Sequence, residues 1–335
     1  MRIAVDAMGG DFAPKEIVAG TVEAARTISG ITKLFLVGDE AAIKRELSSL
    51  GDIPSIIEIR HASEVVGMSE APAVAIRRKK DSSISRAVEL VKSGEADAIF
   101  SAGSTGAAVA AAAMKLRTLE GVDRPAIACV IPTPVKPFVL LDAGATTDCT
   151  PSILAQFAVM GSVYAQEIVG IKNPLVGLLS VGTEDSKGNE ITKGAFKLLE
   201  KCGLNFHGNV ESHDLFEGRV DVVVFDGFVG NVVLKTSESV AHAVGHWLKD
   251  EFTKNPLRMI GAMLLKPGID SIKRKSDPSM YGGAPLLGVN GICIIGHGVS
   301  NAHAVRNGIR VSAESVAHKL NDLIVEGVRK IFELT

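Results

Sequence analysis

The sequence predicts an α/β protein of three layers (α/β/α), a mainly parallel sheet covered by helices on both faces. Three observations carry this expectation. Short aliphatic segments alternate with segments of helical spacing along almost the whole chain. Hydrophobic residues make up 46% of the chain but aromatics only 4%, so the core must be built from Ala, Val, Ile and Leu, as buried parallel strands require. A polar, glycine-bearing loop follows strand after strand, the place where open α/β sheets bind ligands.

The elements follow in order. Strands are expected at 2–6, 33–37, 56–60, 96–100, 126–131, 138–141, 175–179 and 220–225, each an aliphatic run ending at turn-forming residues. Helices are expected at 14–28, 40–49, 82–92, 104–115, 150–169 and 192–201. Pro14 suits a first helical turn, where its missing N–H is not needed. Asn290-Gly291, between two apolar stretches within 285–295, is a hairpin signal. Residues 301–334 read as mostly helical. No linker or repeat interrupts the pattern, so 1–335 is expected to form one catalytic domain.

Bulk properties exclude several classes. A net charge of −2 gives no basic footprint for nucleic acid. The four cysteines, Cys129, Cys149, Cys202 and Cys293, form no CxxC pair and no zinc spacing. Reduced, mostly buried thiols are expected instead, as in a reducing cytoplasm. The opening MRIAVDAMGG has no extended apolar core of a signal peptide, and no run approaches the ~20 apolar residues of a membrane span. A cytoplasmic protein is expected.

Six loops hold the candidate chemistry: 6–11, 101–106, 142–146, 180–184, 226–231 and 297–298. If all leave one edge of the sheet, they build a single cleft. They nominate Asp6, Gly9, Gly10, Ser104, Thr105, Gly106, Asp142, Asp226, Gly230 and His297 as substrate- and phosphate-binding positions. Ser104-Thr105-Gly106 before an Ala-rich helix is the clearest anion site, because helix N-termini present unpaired N–H groups. Neither the Walker sequence nor GxGxxG spacing is present, so no nucleotide fingerprint supports a dehydrogenase. No GxSxG elbow marks a serine hydrolase.

Individual residues keep two readings. Lys187, in Glu184-Asp185-Ser186-Lys187-Gly188-Asn189, is either a solvated loop lysine or a ligand for phosphate or a developing oxyanion. Asn231 is either a helix N-cap or a donor to a carbonyl oxygen. His297 is either a turn histidine or a general acid–base. His242 and His246 lie four apart on an expected helix but lack the Glu of HExxH, so no metal is expected there.

Read in order, these segments resemble the phosphate acyltransferase (PlsX) family of bacterial phospholipid synthesis. The matching stretches are DAMGGD at 6–11, ASEVVGMSEAP at 62–72, RKKDSS at 78–83, SAGSTGA at 101–107, RPA at 124–126, LDAGA at 141–145, QFAVMG at 156–161, 179–190, GNVE at 208–211, DGFVGNVVLK at 226–235 and YGGAPLLGVNG at 281–291. They are collinear and cover essentially the whole chain. Ser104 and Thr146 stand where the family more often has Asn, and Ser212-His213 where Gly-Arg is commoner. The resemblance implies a fold similar to phosphate acetyltransferases and to isocitrate and isopropylmalate dehydrogenases. It implies transfer of a long-chain acyl group from acyl carrier protein to inorganic phosphate, giving acyl phosphate. It also implies a homodimer, no organic cofactor, and a membrane glycerol-3-phosphate acyltransferase downstream. Lys187 and Asn231 fall on the family's functional positions and are the expected catalytic pair. The rival readings are an acyltransferase using acyl-coenzyme A and a non-catalytic membrane scaffold.

One stretch differs from the rest. Residues 249–275 carry seven basic and three acidic side chains, a local +4 in a chain of net −2. Within it, PLRMIGAMLL at 256–265 is too apolar for an ordinary exposed loop and too short to span a bilayer. It is expected to form a protruding helical segment. Leu257, Arg258, Met259, Ile260, Leu264, Leu265, Lys266, Lys273, Arg274 and Lys275 are then contacts for an anionic membrane surface or the acidic carrier. The alternative is a helix buried in a dimer interface.

Overall fold

The computed structural model describes residues 1–275 and 278–334. Its strands are β1 (Arg2–Asp6), β2 (Lys33–Gly38), β3 (Ile57–His61), β4 (Ala98–Ser101), β5 (Ala126–Ile131), β6 (Phe138–Leu141), β7 (Val176–Leu179), β8 (Phe206–Val210), β9 (Val222–Val224), β10 (Ala284–Leu287) and β11 (Ile292–Ile295). The helices are α1 (Lys15–Thr27), α2 (Glu40–Ser48), α3 (Pro72–Arg78), α4 (Ser83–Lys92), α5 (Thr105–Lys115), α6 (Pro151–Tyr164), α7 (Glu190–Leu199), α8 (Gly227–Thr253), α9 (Pro256–Lys275), α10 (Ala302–Ala317) and α11 (Leu320–Leu334). One sheet contains all eleven strands in the order β3-β2-β1-β4-β11-β10-β5-β6-β9-β7-β8.

The expected elements form close to their expected limits. The structure adds β8, α3 and the full length of α8, none of which was expected as such. The 285–295 hairpin forms as β10 and β11, paired antiparallel through Ala284 with Ile295 and Pro285 with Ile294.

Side-chain alternation along the strands builds the three layers. Ile3 and Val5, Leu34 and Leu36, Val139 and Leu141, Val222 and Val224 enter one core with α1, α6, α10 and α11. The intervening Ala4, Phe35 and Val37, Leu140, and Val223 enter a second core with α4 and α5 on the opposite face. The helix at 151–169, which closes on a π-helical turn at Ala165–Val169, is long and apolar enough to cross a membrane. Most of it is buried against the sheet, and ten residues of α6 are enclosed, so its apolarity is that of a core helix.

The strand directions correct one expectation. β1, β2, β3, β4 and β11 run parallel, and so do β6, β7, β8 and β9. Between the two sets lie three antiparallel pairings, β11–β10, β10–β5 and β5–β6. An odd number of reversals leaves the second set running opposite to the first. The loops after β1, β4 and β11 therefore leave one edge, and those after β6, β7 and β9 leave the other. The six loops do not share a single edge.

Cys149, Cys202 and Cys293 are buried, Cys129 is partly so, and all four are free. Desolvation pushes the thiols of Cys149 and Cys293 up to about 12, helped at Cys149 by the carboxylates of Asp226 and Asp142. A thiol at that pKa is not a nucleophile near neutral pH. Iodoacetamide should leave Cys149 and Cys293 unmodified in the native protein and label them in denaturant, read by peptide mass spectrometry. Native labelling of either would contradict this packing.

Candidate active site

The edge formed by the ends of β6, β9 and β7 is organised around one carboxylate. Asp142 is fully buried at the end of β6. Its Oδ1 accepts from the amides of Ile127 (2.8 Å), Gly144 (3.0 Å) and Ala145 (3.0 Å). Its Oδ2 accepts from Ala145 (3.0 Å) and Thr146 (2.6 Å). Burial pushes its pKa up from the carboxylate range, while the amides of Ala145, Ile127, Thr146 and Gly144 pull it back down. With both oxygens engaged by backbone, Asp142 shapes the loop and does not present its carboxylate outward.

The same loop seats the start of α8. The Thr146 carbonyl accepts from Gly227 N (2.8 Å), and Asp226 caps the helix by accepting from Val229 N (2.9 Å). Capping by Asp226 leaves Asn231, in the second turn, free of the N-cap role. A Cβ on Gly230 would run into the Asp142 carbonyl oxygen, so the helix can approach this closely only with glycine there. Asn231 is exposed, and its side chain lies over Gly144: a Cβ on that glycine would sit 3.4 Å from Asn231 Cβ.

Lys187 stands on the neighbouring loop, after β7, which pairs directly with β9. It is exposed, and its stem lies over Gly182, where a Cβ would come within 2.8 Å of Lys187 Cγ. The loop closes with Lys187 N donating to Glu184 O (2.9 Å) and ends where Asn189 caps α7 by accepting from Thr192 N (2.9 Å). Beneath it lie two groups the sequence did not single out. Asn209 is buried and donates to the Glu184 carbonyl (2.9 Å), but its Oδ1 has no partner, and neither has the buried Ser180 Oγ. Unpaired buried polar atoms are uncommon and mark a place where ligand or water belongs. The signal lay in the GNVE segment, where a polar residue interrupts an otherwise apolar strand end.

The opposite edge gathers Asp6, Gly9, Gly10, Ser104, Thr105, Gly106 and His297. Asp6 is buried, accepts from Ser101 Oγ (2.7 Å) and Met8 N (3.3 Å), and has its pKa pushed up by burial. Gly10, at φ +107°, fits between the carbonyls of Gly298 and Ala102, and Asp11 N donates to Gly298 O (2.8 Å). Ser104 caps α5, and Gly106 makes room for Pro72 of α3. His297 is exposed and forms a turn, its carbonyl accepting from Ser300 N (2.9 Å). The recess among Asp6, Gly9, Ser83, Ser101 and Ser104 has a volume of only about 10 Å³, room for one water. These residues interlock three loops.

Among the described residues no cluster of three His, Cys, Asp or Glu side chains could hold a metal. His242 and His246 are exposed on α8 with ring centroids 4.9 Å apart. α9 has no buried residue: Leu257 is 80% exposed and Leu264 79%. Arg258 pairs with Glu251 of α8, and α8 and α9 touch one another beyond the sheet.

A mixed eleven-stranded sheet between helix layers, with a lysine on the loop after β7 and an asparagine in the second turn of the helix after β9, defines a three-layer α/β/α fold of the phosphotransacetylase type. A phosphotransacetylase from Streptococcus pyogenes superposes with a TM-score of 0.63 at 17% identity, covering 95% of this chain and 94% of that one. The EutD phosphotransacetylase from Staphylococcus aureus gives 0.58 at 17% identity over 94% of each chain. The family model described as "Fatty acid synthesis protein" matches residues 1–322. A phosphate acyltransferase from Pelotomaculum thermopropionicum is 53% identical over 99% of this chain and 96% of that protein. One from Geobacter sulfurreducens is 48% identical over 99% of this chain and 95% of that protein. The chain belongs to the phosphate acyltransferase family of fatty acid synthesis proteins.

Replacing Asp142 by Asn turns one acceptor into a donor facing backbone N–H groups. The Asp142→Asn variant should lose about 1–3 kcal/mol of stability, the cost of an unmatched buried polar contact. Urea unfolding measures this, and an unchanged midpoint would remove Asp142 from its place as organiser of the loop.

Proposed function

We propose that this protein transfers a long-chain fatty-acyl group from acyl carrier protein to inorganic phosphate, releasing acyl phosphate for phospholipid synthesis. The observation that carries the reading is the placing of Lys187 on the loop after β7 and Asn231 in the second turn of α8, which follows β9, the strand paired with β7. In the reaction a phosphate oxygen attacks the thioester carbonyl carbon and the C–S bond breaks. The carrier thiol takes up the proton left by hydrogen phosphate. Phosphate is already an anion, so no strong base is required.

Lys187 holds the phosphate beside the carbonyl, and Asn231 donates to the oxygen as it gains negative charge. Fixing the two reactants together contributes roughly 7–11 kcal/mol to lowering such a barrier. One well-placed oxyanion donor contributes roughly 2.7–4 kcal/mol. The loop of Asp142 supports Asn231 through Gly144, and Ser180 and Asn209 support the Lys187 loop. Asp6, Gly9, Gly10, Ser104, Thr105, Gly106 and His297 lie on the opposite edge and act through the fold, outside this reaction centre.

Palmitoyl-carrier protein with phosphate should give phosphate-dependent release of free carrier, and palmitoyl-coenzyme A should be the poorer donor. Lys187→Ala and Asn231→Ala should each lower kcat on the order of 10²–10³ without changing the urea midpoint. Near wild-type turnover in both sinks the assignment, and preference for the coenzyme A thioester sinks the choice of donor.

We further propose that α8 and α9 bring the enzyme to an anionic membrane as a peripheral cytoplasmic protein. Leu257, Met259, Ile260, Leu264 and Leu265 supply exposed apolar area, with Arg258, Lys266, Lys273, Arg274 and Lys275 around it. A scaffold without chemistry has no use for the lysine–asparagine edge. The acyl phosphate then passes to a membrane acyltransferase acting on glycerol 3-phosphate. The same surface serves the acidic carrier, and the enzyme works as a homodimer. The double variant Leu264→Glu, Leu265→Glu should lower binding to phosphatidylglycerol vesicles by roughly tenfold or more, measured by co-sedimentation. Unchanged binding assigns the face to the dimer interface instead.

A further inference from the structure

We propose that Asn209 is a positioning residue for Lys187: its amide ties the Glu184 carbonyl to the sheet and so keeps the Glu184 carboxylate from capturing the lysine that phosphate needs. This deepens the acyl-transfer reading and rests on its assignment of phosphate to Lys187.

Residues 184–187 form a turn in which Lys187 N donates to Glu184 O (2.9 Å). Such a turn brings its first and last Cα atoms within about 7 Å, so two side chains of opposite charge start within reach of one another. Both lie against Gly182, where a Cβ would sit 2.8 Å from Lys187 Cγ and 2.9 Å from Glu184 Oε2. Yet neither has an ion-pair partner among the described residues. An exposed pair of this kind gains little, so whether it forms depends on how the backbone presents it.

Asn209 sets that backbone. It is 4% exposed on β8, and Leu178 of β7 is its partner in the ladder. Its Nδ2 donates to the Glu184 carbonyl at 2.9 Å, the same oxygen that Lys187 N uses. Among the described residues no other side chain from outside the loop bonds to 181–188. The other buried polar atoms beneath, Asn209 Oδ1 and Ser180 Oγ, have no partner and supply no second tie. The far end of the loop is held independently. Asn189 caps α7, and Gly188, at φ +100°, packs against Ser180 and Thr192. Loss of the Asn209 amide therefore frees the Glu184 end alone. A turn released there rotates its carboxylate onto the lysine of its own loop. Phosphate then competes with an internal anion, and its apparent affinity falls to the fraction of molecules in which Lys187 is still free.

The test separates this from a general loss of structure. Asn209→Asp keeps the shape and puts an acceptor where the amide donated. It should raise KM for phosphate about fivefold, with kcat at saturating phosphate and KM for the acyl donor within about twofold of wild type. Adding Glu184→Gln removes the competing anion and should return KM for phosphate to within about twofold of wild type. In the wild-type background Glu184→Gln should change it by less than about twofold. Asn209→Ala, with and without Glu184→Gln, repeats the comparison should the aspartate not fold. An unchanged KM for phosphate, a fall in kcat that saturating phosphate does not relieve, or an equal effect of Glu184→Gln in both backgrounds overturns the proposal. Titration calorimetry with inorganic phosphate and no acyl donor reads the same affinity ratios without turnover. If those ratios hold while the wild type forms no acyl phosphate, the reaction fails and the role of Asn209 stands. If Lys187→Ala binds phosphate as well as wild type, the proposal falls with the assignment of Lys187.

Discussion

Three antiparallel pairings in the middle of the sheet decide where every polar loop of the molecule ends up. β11–β10, β10–β5 and β5–β6 reverse the chain an odd number of times. The strands that carry Lys187 and Asn231 then run opposite to those that carry Asp6 and Ser104. Two edges of different character result. On one, Gly10, Asp11, Ala102 and Gly298 close on one another, and the recess among Asp6, Gly9, Ser83, Ser101 and Ser104 holds only about 10 Å³. On the other, Lys187 and Asn231 remain exposed.

The exposed edge depends in turn on buried polarity. Asp142 has no route to water, and a lone carboxylate there would be costly. Backbone amides from β5 and from its own loop satisfy it, which fixes that loop rigidly. The close approach of α8 to the Asp142 carbonyl requires Gly230, and Gly144, at φ +132°, turns the loop that packs against Asn231. A side chain at Gly230 would move the helix that carries the asparagine. The loop glycines thus serve close packing of backbone against backbone, and on the proposed reaction anion binding falls to the polar residues they position.

Much of this was legible because it is local. Short continuous aliphatic runs bounded by turn residues, such as Ile3–Ala4–Val5 and Val139–Leu140–Leu141, report buried strands directly. What escaped was local signal that tertiary contact overrides. In β8, His207, Gly208 and Asn209 break the apolar run, and the β7–β8 ladder is itself irregular at Val176/Gly177. In α8, the opening Gly-Phe-Val-Gly-Asn-Val-Val has poor helix propensity, and the turn forms on the Asp226 cap and the contact at Gly230. Strand direction is a different matter, because periodicity does not encode it. Yet the segments 126–131 and 138–141 are joined without room for a crossover helix, and parallel neighbours need a dozen or more residues between them. That spacing alone signals the reversal at β5–β6, as the Asn290-Gly291 turn signals the one at β10–β11; the third, β10–β5, joins strands far apart in the chain, carries no local signal, and is what sets the two edges apart.

The chemistry left to such a site is electrostatic. The thiols of Cys149 and Cys293 are held too high to act as nucleophiles, and Asp142 is engaged by backbone. On the proposed reaction, what remains is a cation, an amide and a fixed geometry, which suits an attacking group that arrives already charged. An exposed edge also leaves those interactions weaker than they would be out of water. On the proposed reaction the cover must come with the substrates, from the acyl donor and the carrier that delivers it. On that reaction, binding the donor and drying the site become the same event, and phosphate attack is favoured once the donor is in place.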